Sequence, residues 1–152
     1  MSAFEMSRST HVDAPPERVL PLLEDFHEWQ QWSPWEGLDP HLQRTFTGPE
    51  KGVGSHYHWS GNKKAGEGTM EITKAGPQGV AVDLEFLKPF KATNVTEFTL
   101  TPASGGTDVT WVMKGERNVL MSVMGKLYFD KAIGKDFDRG LADLKTQAEG
   151  GA

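Results

Sequence analysis

The feature that most constrains this chain is period-two alternation from about residue 42 to residue 116, followed directly by a stretch of helical period. Alternation puts successive side chains on opposite faces of a strand, whereas steps of three and four keep them on one face of a helix. The spacing predicts strands over 42–47, 54–60, 66–74, 79–87, 92–101 and 107–116. Between them lie turn-rich pieces: Gly48-Pro49-Glu50-Lys51-Gly52, Gly61-Asn62-Lys63-Lys64, Gly76-Pro77-Gln78-Gly79, Lys88-Pro89-Phe90 and Ser104-Gly105-Gly106. Connections this short join neighbours antiparallel, so the six strands read as a meander. Its apolar parity carries Tyr57, Trp59, Met70, Ile72, Val80, Val82, Leu84, Phe86, Phe98, Leu100, Val109, Trp111 and Met113.

Residues 4–13 alternate in the same way and supply a seventh strand. Asp13-Ala14-Pro15-Pro16-Glu17 is a helix entry, with proline tolerated in the first turn and an acid near the positive end of the helix. Pro21 keeps that helix short. A second short helical piece carries Phe26, Trp29 and Trp32 and stops before Ser33-Pro34. From Asn118 the helical period returns in Leu120, Val123, Met124 and Leu127, then in Ile133, Phe137, Leu141 and Leu144. Gly125, Gly134 and Gly140 are places where this long helix can bend or break, and its continuity stays open.

The predicted fold class is therefore α+β: a curved seven-stranded antiparallel sheet around a long C-terminal helix, with two short helices between strands 1 and 2. The long helix is the element able to cover the apolar face of the sheet. At about 10 Å across it cannot fill a strongly curved sheet of that width. The interior is then either a very aromatic core or a cavity, and both remain open at this point.

A length of 152 residues fits one domain, spanning 1–152. The absence of cysteine excludes disulfides, thiol catalysis and cysteine-bound metal. A net charge of −5 argues against a nucleic-acid partner held by a general basic field. No apolar run approaches the roughly 20 residues of a membrane span, so no integral membrane contact is expected. Met1 to Thr10 lacks the apolar core of a secretory signal, and the expected location is cytoplasmic.

Motifs that could carry chemistry are sparse. His56 and His58 have metal-ligand spacing but occupy the parity opposite Tyr57 and Trp59, and no third ligand lies near them, so no metal is expected. Glu67, Glu71, Asp83 and Glu85 likewise fall on the polar parity, where a carboxylate keeps its ordinary behaviour and cannot reach a molecule inside. Gly52-Val53-Gly54, Gly66-Glu67-Gly68, Gly125-Lys126 and Gly134-Lys135 lack the context of a nucleotide-binding loop, which leaves no cofactor indicated. Ser33, Ser55, Ser60 and Ser122 have no nucleophile-elbow setting, and no catalytic residue can be named. Trp29, Trp32 and Trp35 form the densest aromatic cluster, read chiefly as a plug for one end of the sheet.

The chain resembles the START-like, helix-grip superfamily (SRPBCC), which includes the polyketide cyclase/dehydrase-like proteins and the plant pollen allergens. The segments that carry the resemblance are VDAPPERVLPLLEDFHEWQQWSPWEGLDP, GVGSHYHWSGNKKAGEGTMEI, LEFLKPFKATN, DVTWVMKGE and IGKDFDRGLADLK, from about Ser7 to Leu144. It implies a sheet wrapped around the long helix with a hydrophobic cavity between them. It also implies a choice of roles: carriage of lipids or sterols, hormone sensing, cyclisation of polyketides, or binding to chaperones.

With that cavity implied, its expected wall is Trp59, Met70, Phe86, Phe98, Trp111 and Met113, with Met124 and Tyr128 approaching from the helix. The polar side chains expected inside are Asn94, Thr96, Arg44 and Tyr128. Cyclase or dehydratase chemistry needs a base near a ketone, and none can be named. The first expectation is therefore binding of a hydrophobic or amphipathic small molecule (lipid-, fatty-acid- or polyketide-like) as carrier or sensor. A cyclase/dehydratase-type enzyme comes second and a chaperone-activator-like interaction module third; the sequence carries no sign of the oligomeric state. Successive turns of a meander fall at alternate ends of the sheet, so 61–65, 88–91 and the exit into the long helix share one end. That expected mouth collects Lys63, Lys64, Lys88, Lys91 and Arg117 around Phe90, a rim suited to amphipathic anions if it is more than a solubilising hairpin tip.

Overall fold

The computed structural model describes the backbone of residues 2–33, 39–62, 66–88, 92–117 and 119–150, and the side chains of 5–33, 39–62, 66–88, 93–115 and 134–150. The elements run β1 (Ser2–Val12), α1 (Pro16–Leu23), a 3-10 turn (Glu28–Gln31), β2 (Gln43–Thr47), β3 (His56–Ser60), β4 (Glu67–Gly76), β5 (Gly79–Lys88), β6 (Ala92–Ala103), β7 (Gly106–Arg117) and α2 (Val119–Gly150). All strands pair antiparallel in one curved sheet of order β1-β7-β6-β5-β4-β3-β2. This is the expected helix-grip arrangement, with the N-terminal strand closing beside the last one.

Local chemistry explains the boundaries. Pro16 sits in the first turn of α1, and Pro21 confines the helix to 8 residues with Val19 and Leu23 buried. The second helical piece is a 3-10 turn of only 4 residues, because its two tryptophans bind back to α1 instead of extending a helix. Trp29 Nε1 donates to the Leu23 carbonyl at 2.9 Å and Trp32 Nε1 to the Leu22 carbonyl at 2.8 Å. Ser104 and Gly105 have φ of 47° and 78°, the left-handed pair that a tight hairpin between β6 and β7 requires.

The long helix, whose continuity the glycines left open, is unbroken: α2 runs over 32 residues, about 48 Å at ~1.5 Å per residue. Gly134 and Gly140 are buried, and at Gly134 another side chain makes a close approach. A Cβ at Gly134 would run into the guanidinium of Arg8, which crosses under the helix to Asp138 at 3.5 Å. Phe137, Leu141, Leu144 and Ala148 make the buried stripe of the C-terminal half of α2, which packs chiefly on β1.

Candidate functional site

The inner face of the sheet divides into two regions of different chemistry. Toward the C-terminal half of α2 it is solid aromatic packing. The Trp111 ring stacks on Phe137 at 4.0 Å and 7°, leans on Phe98 at 5.0 Å, and meets Trp32 edge-on at 5.6 Å. Trp29 and Trp32 both meet Phe98 edge-on, and Phe26 bridges Trp29 to Tyr57. Trp29 and Trp32 therefore are the plug that the sequence suggested, while Trp35 lies outside the described residues.

Toward the end where β7 runs into α2, the packing changes. One register row across the inner face is Tyr57, Met70, Leu84, Asn94 and Gly115; the next is Ile72, Val82, Thr96, Met113 and Met6. Asn94 and Thr96 are consecutive inward positions of β6, so their Cα atoms lie about 7 Å apart along the strand. They are 7% and 3% exposed, and Asn94 Oδ1 and Thr96 Oγ1 have no hydrogen-bond partner among the described residues. Gly115 makes the place for Asn94: a Cβ there would strike Asn94 Oδ1 and come within 2.9 Å of the Thr93 carbonyl. A glycine interrupting an alternating strand is the signal by which the sequence marks such an approach, although Gly115 was not singled out from the sequence.

One row nearer the end stand Arg44, Trp59, Gly68 and Phe86. The Trp59 ring folds across Gly68, where a Cβ would strike it, and Phe86 meets that ring edge-on at 5.9 Å. Both aromatics are half-buried, in contrast to the sealed rings at the other end. Of the expected wall, then, Trp59, Met70, Phe86, Asn94, Phe98, Trp111 and Met113 share the inner face, Phe98 and Trp111 within the aromatic plug. Met124 and Tyr128 fall on α2, and their side chains lie outside the described residues.

At the strand ends where a mouth was expected, Ser60 registers with Glu67, Glu67 with Lys88, and Ser2 with Arg117. Lys63, Lys64, Phe90 and Lys91 lie outside the described residues, as does the side chain of Arg117. Lys88 projects on the outer face, its ammonium 3.9 Å from the Glu67 carboxylate, which also binds His58 Nε2 at 2.8 Å. His56 registers with Glu71, and Glu71 with Asp83, on that same outer parity. Among the described residues no group of three His, Asp or Glu side chains is arranged to hold a metal.

The electrostatic contacts with the clearest effect on protonation lie at the far end of α2. Lys145 Nζ donates to Glu149 at 2.6 Å and to the His11 carbonyl at 2.7 Å, while the Asp13 N–H donates to Glu149 at 2.7 Å. The hydrogen bond to Glu149 holds the Lys145 pKa above its usual value, and that same bond, with the Asp13 amide, holds Glu149 below the usual carboxylate range. This cluster ties β1 to α2 and lies away from Asn94 and Thr96.

Residues 3–149 match the family described as polyketide cyclase/dehydrase and lipid transport. No curated protein matches the chain. Among solved structures, a protein from Chromobacterium violaceum superposes with a TM-score of 0.69 at 16% identity, covering 95% of this chain and 96% of that one. The Aha1 dimer from Colwellia psychrerythraea gives 0.65 at 16%, covering 96% of each. Ara h 8.0201 gives 0.66 at 10%, covering 97% and 98%. At such identities these likenesses establish the fold. Among the described residues no helix is long and apolar enough to cross a membrane.

Proposed function

The chain belongs to the polyketide cyclase/dehydrase and lipid transport family, and from that premise we propose that it binds a hydrophobic or amphipathic small molecule between the inner face of its sheet and α2, as carrier or sensor. The observation that carries this reading is the pair Asn94 and Thr96, buried among Met70, Leu84, Val82 and Met113 with polar oxygens left unpartnered among the described residues. A buried polar atom left without a hydrogen bond costs about 1–3 kcal/mol, so native interiors rarely keep one without a use. A ligand oxygen lying along β6 would complete both groups. The half-buried Trp59 and Phe86 stand where its apolar part would pass.

The enzyme reading ranks below binding because of what this face lacks. Among the described residues, every Asp, Glu and His of the seven strands falls on the outer parity, so the sheet offers no base to a molecule beside Asn94. The chaperone-activator reading needs no interior polar pair at all.

The test is mass spectrometry of the denatured protein after purification from its native host, together with saturable uptake of the neutral fluorophore N-phenyl-1-naphthylamine. A stoichiometric small molecule, or one-to-one uptake of the probe, supports the reading. A clean protein that takes up no probe refutes it.

A further inference from the structure

The two free edges of the sheet are built differently. Along β1 the edge is occupied, since α2 packs on this strand and side chains take up its backbone groups. The Ser7 carbonyl accepts from Arg8 at 2.9 Å and the His11 carbonyl from Lys145 at 2.7 Å, while just beyond the strand the Asp13 N–H donates to Glu149 at 2.7 Å. At the other end of the sheet β2 pairs with β3 alone, in unbroken register from Gln43 with Ser60 to Thr47 with His56. Gln43, Thr45 and Thr47 are exposed, and Arg44 and Phe46 are half-buried. Among the described residues no side chain is bonded to the backbone of Gln43, Thr45, Phe46 or Thr47. An edge of this kind is a template for another strand, and β2 carries no proline, lysine or bulge to blunt it. Its Thr-Phe-Thr run favours pairing.

The strand that fits this edge best is β2 itself. A strand of 5 residues overlaps an antiparallel copy most fully about its middle residue, here Thr45. That two-fold register sets Thr45 opposite Thr45, Gln43 opposite Thr47 and Arg44 opposite Phe46, each unlike pair occurring twice. Arg44 and Phe46 lie on the inner parity, so each copy brings a guanidinium beside an aromatic ring of the other. The His27 ring stacks on Phe46 at 4.0 Å and is held by the Asp25 carboxylate at 2.7 Å, which adds a negative charge near the ring the cation meets. On the outer parity the pairs are Thr45 with Thr45 and Gln43 with Thr47, so no like charges stand directly opposite one another. We infer that β2 is the contact between two copies of this chain, joined antiparallel about Thr45 into one sheet that runs through both. So short an edge makes a small interface, and the dimer is expected to be weak and concentration-dependent.

The chain has no cysteine, so a single introduced one reads the register without background. Thr45→Cys sets two thiols opposite each other, with Cα atoms about 4.5–5.5 Å apart and within reach of a disulfide. Gln43→Cys leaves its two thiols four positions apart along the strand, about 13 Å at ~3.3 Å per residue, which no disulfide spans. Mild oxidation of the full chain is expected to cross-link Thr45→Cys at least about tenfold faster than Gln43→Cys. In sedimentation velocity the unmodified chain is expected to rise from the monomer mass toward twice that value between about 10 μM and 1 mM. Arg44→Glu removes the cation twice by symmetry and is expected to weaken association about 5–30-fold, with far-ultraviolet circular dichroism checking that it folds. Should Arg44→Glu not fold, the two cysteine variants carry the comparison. A chain that stays monomeric throughout leaves the edge to some other strand and overturns the inference. Equal cross-linking of Thr45→Cys and Gln43→Cys, or undiminished association of a folded Arg44→Glu, overturns it as well.

Discussion

Replacing Trp111 by alanine probes the aromatic half of the interior most directly. The side chain is fully buried, stacked on Phe137 at 4.0 Å and flanked by Phe98 and Trp32. An indole in such a place removes about 200 Å² from water, and at ~25 cal/mol per Å² that is about 5 kcal/mol as an upper bound. Large-to-small changes in packed cores cost about 3–5 kcal/mol, and rings held on three sides cannot collapse far into the space, so we expect that range here. A domain of this size is stable by only about 5–15 kcal/mol, so the variant should be folded but marginal. Its melting temperature should fall by roughly 6–20 °C. Urea unfolding followed by far-ultraviolet circular dichroism measures the loss without relying on the deleted fluorophore. Trp111→Phe keeps a ring against Phe137 and should cost about 1–2 kcal/mol. A Trp111→Ala loss below about 1 kcal/mol, or a Phe variant as damaged as the Ala variant, would refute the view that this region is tightly packed aromatic structure.

Gly68→Ala should destabilise by about 1–3 kcal/mol, since its methyl would strike the Trp59 ring and come within 2.6 Å of the Glu85 carbonyl; thermal melts of Gly68→Ala with and without Trp59→Ala show whether relief of the ring restores part of the loss. Thr107→Val removes the buried hydroxyl that donates to the Ala14 carbonyl at 2.8 Å and should cost about 1–3 kcal/mol in urea unfolding. Glu149, held below the usual carboxylate range by Lys145 and the Asp13 amide, contributes stability above that range and loses it as pH falls through the lowered value. Lys145, held above its usual value, contributes below the ordinary lysine range and loses its share as pH rises through the raised value. Melting curves of wild type and Glu149→Gln should therefore differ near neutrality and converge in strong acid; parallel curves throughout would contradict the assignment.

The sequence by itself determined the strands, their antiparallel order and the covering helix, because alternation, short turns and a 3.6-residue period are local signals that each element carries in its own residues. The seven expected strands agree with the observed ones to within about two residues, and the inward parity of Met70, Phe98, Trp111 and Met113 follows from the same count. Asn94 and Thr96 were legible as inward polar residues for that reason. What only the tertiary structure decided is what those positions meet. Glycine spacing left the continuity of the long helix open, and Gly134 is where Arg8 passes beneath an unbroken helix, a contact between residues more than a hundred positions apart. How much of the interior is aromatic packing likewise depended on how rings from the segment after α1, the 3-10 turn, β6, β7 and α2 converge. They pack around Trp111, while Asn94 and Thr96 register with Gly115 and Met113. Periodicity reports which face a residue takes, while satisfaction of a buried hydrogen bond depends on atoms brought from across the fold, and no local pattern encodes that.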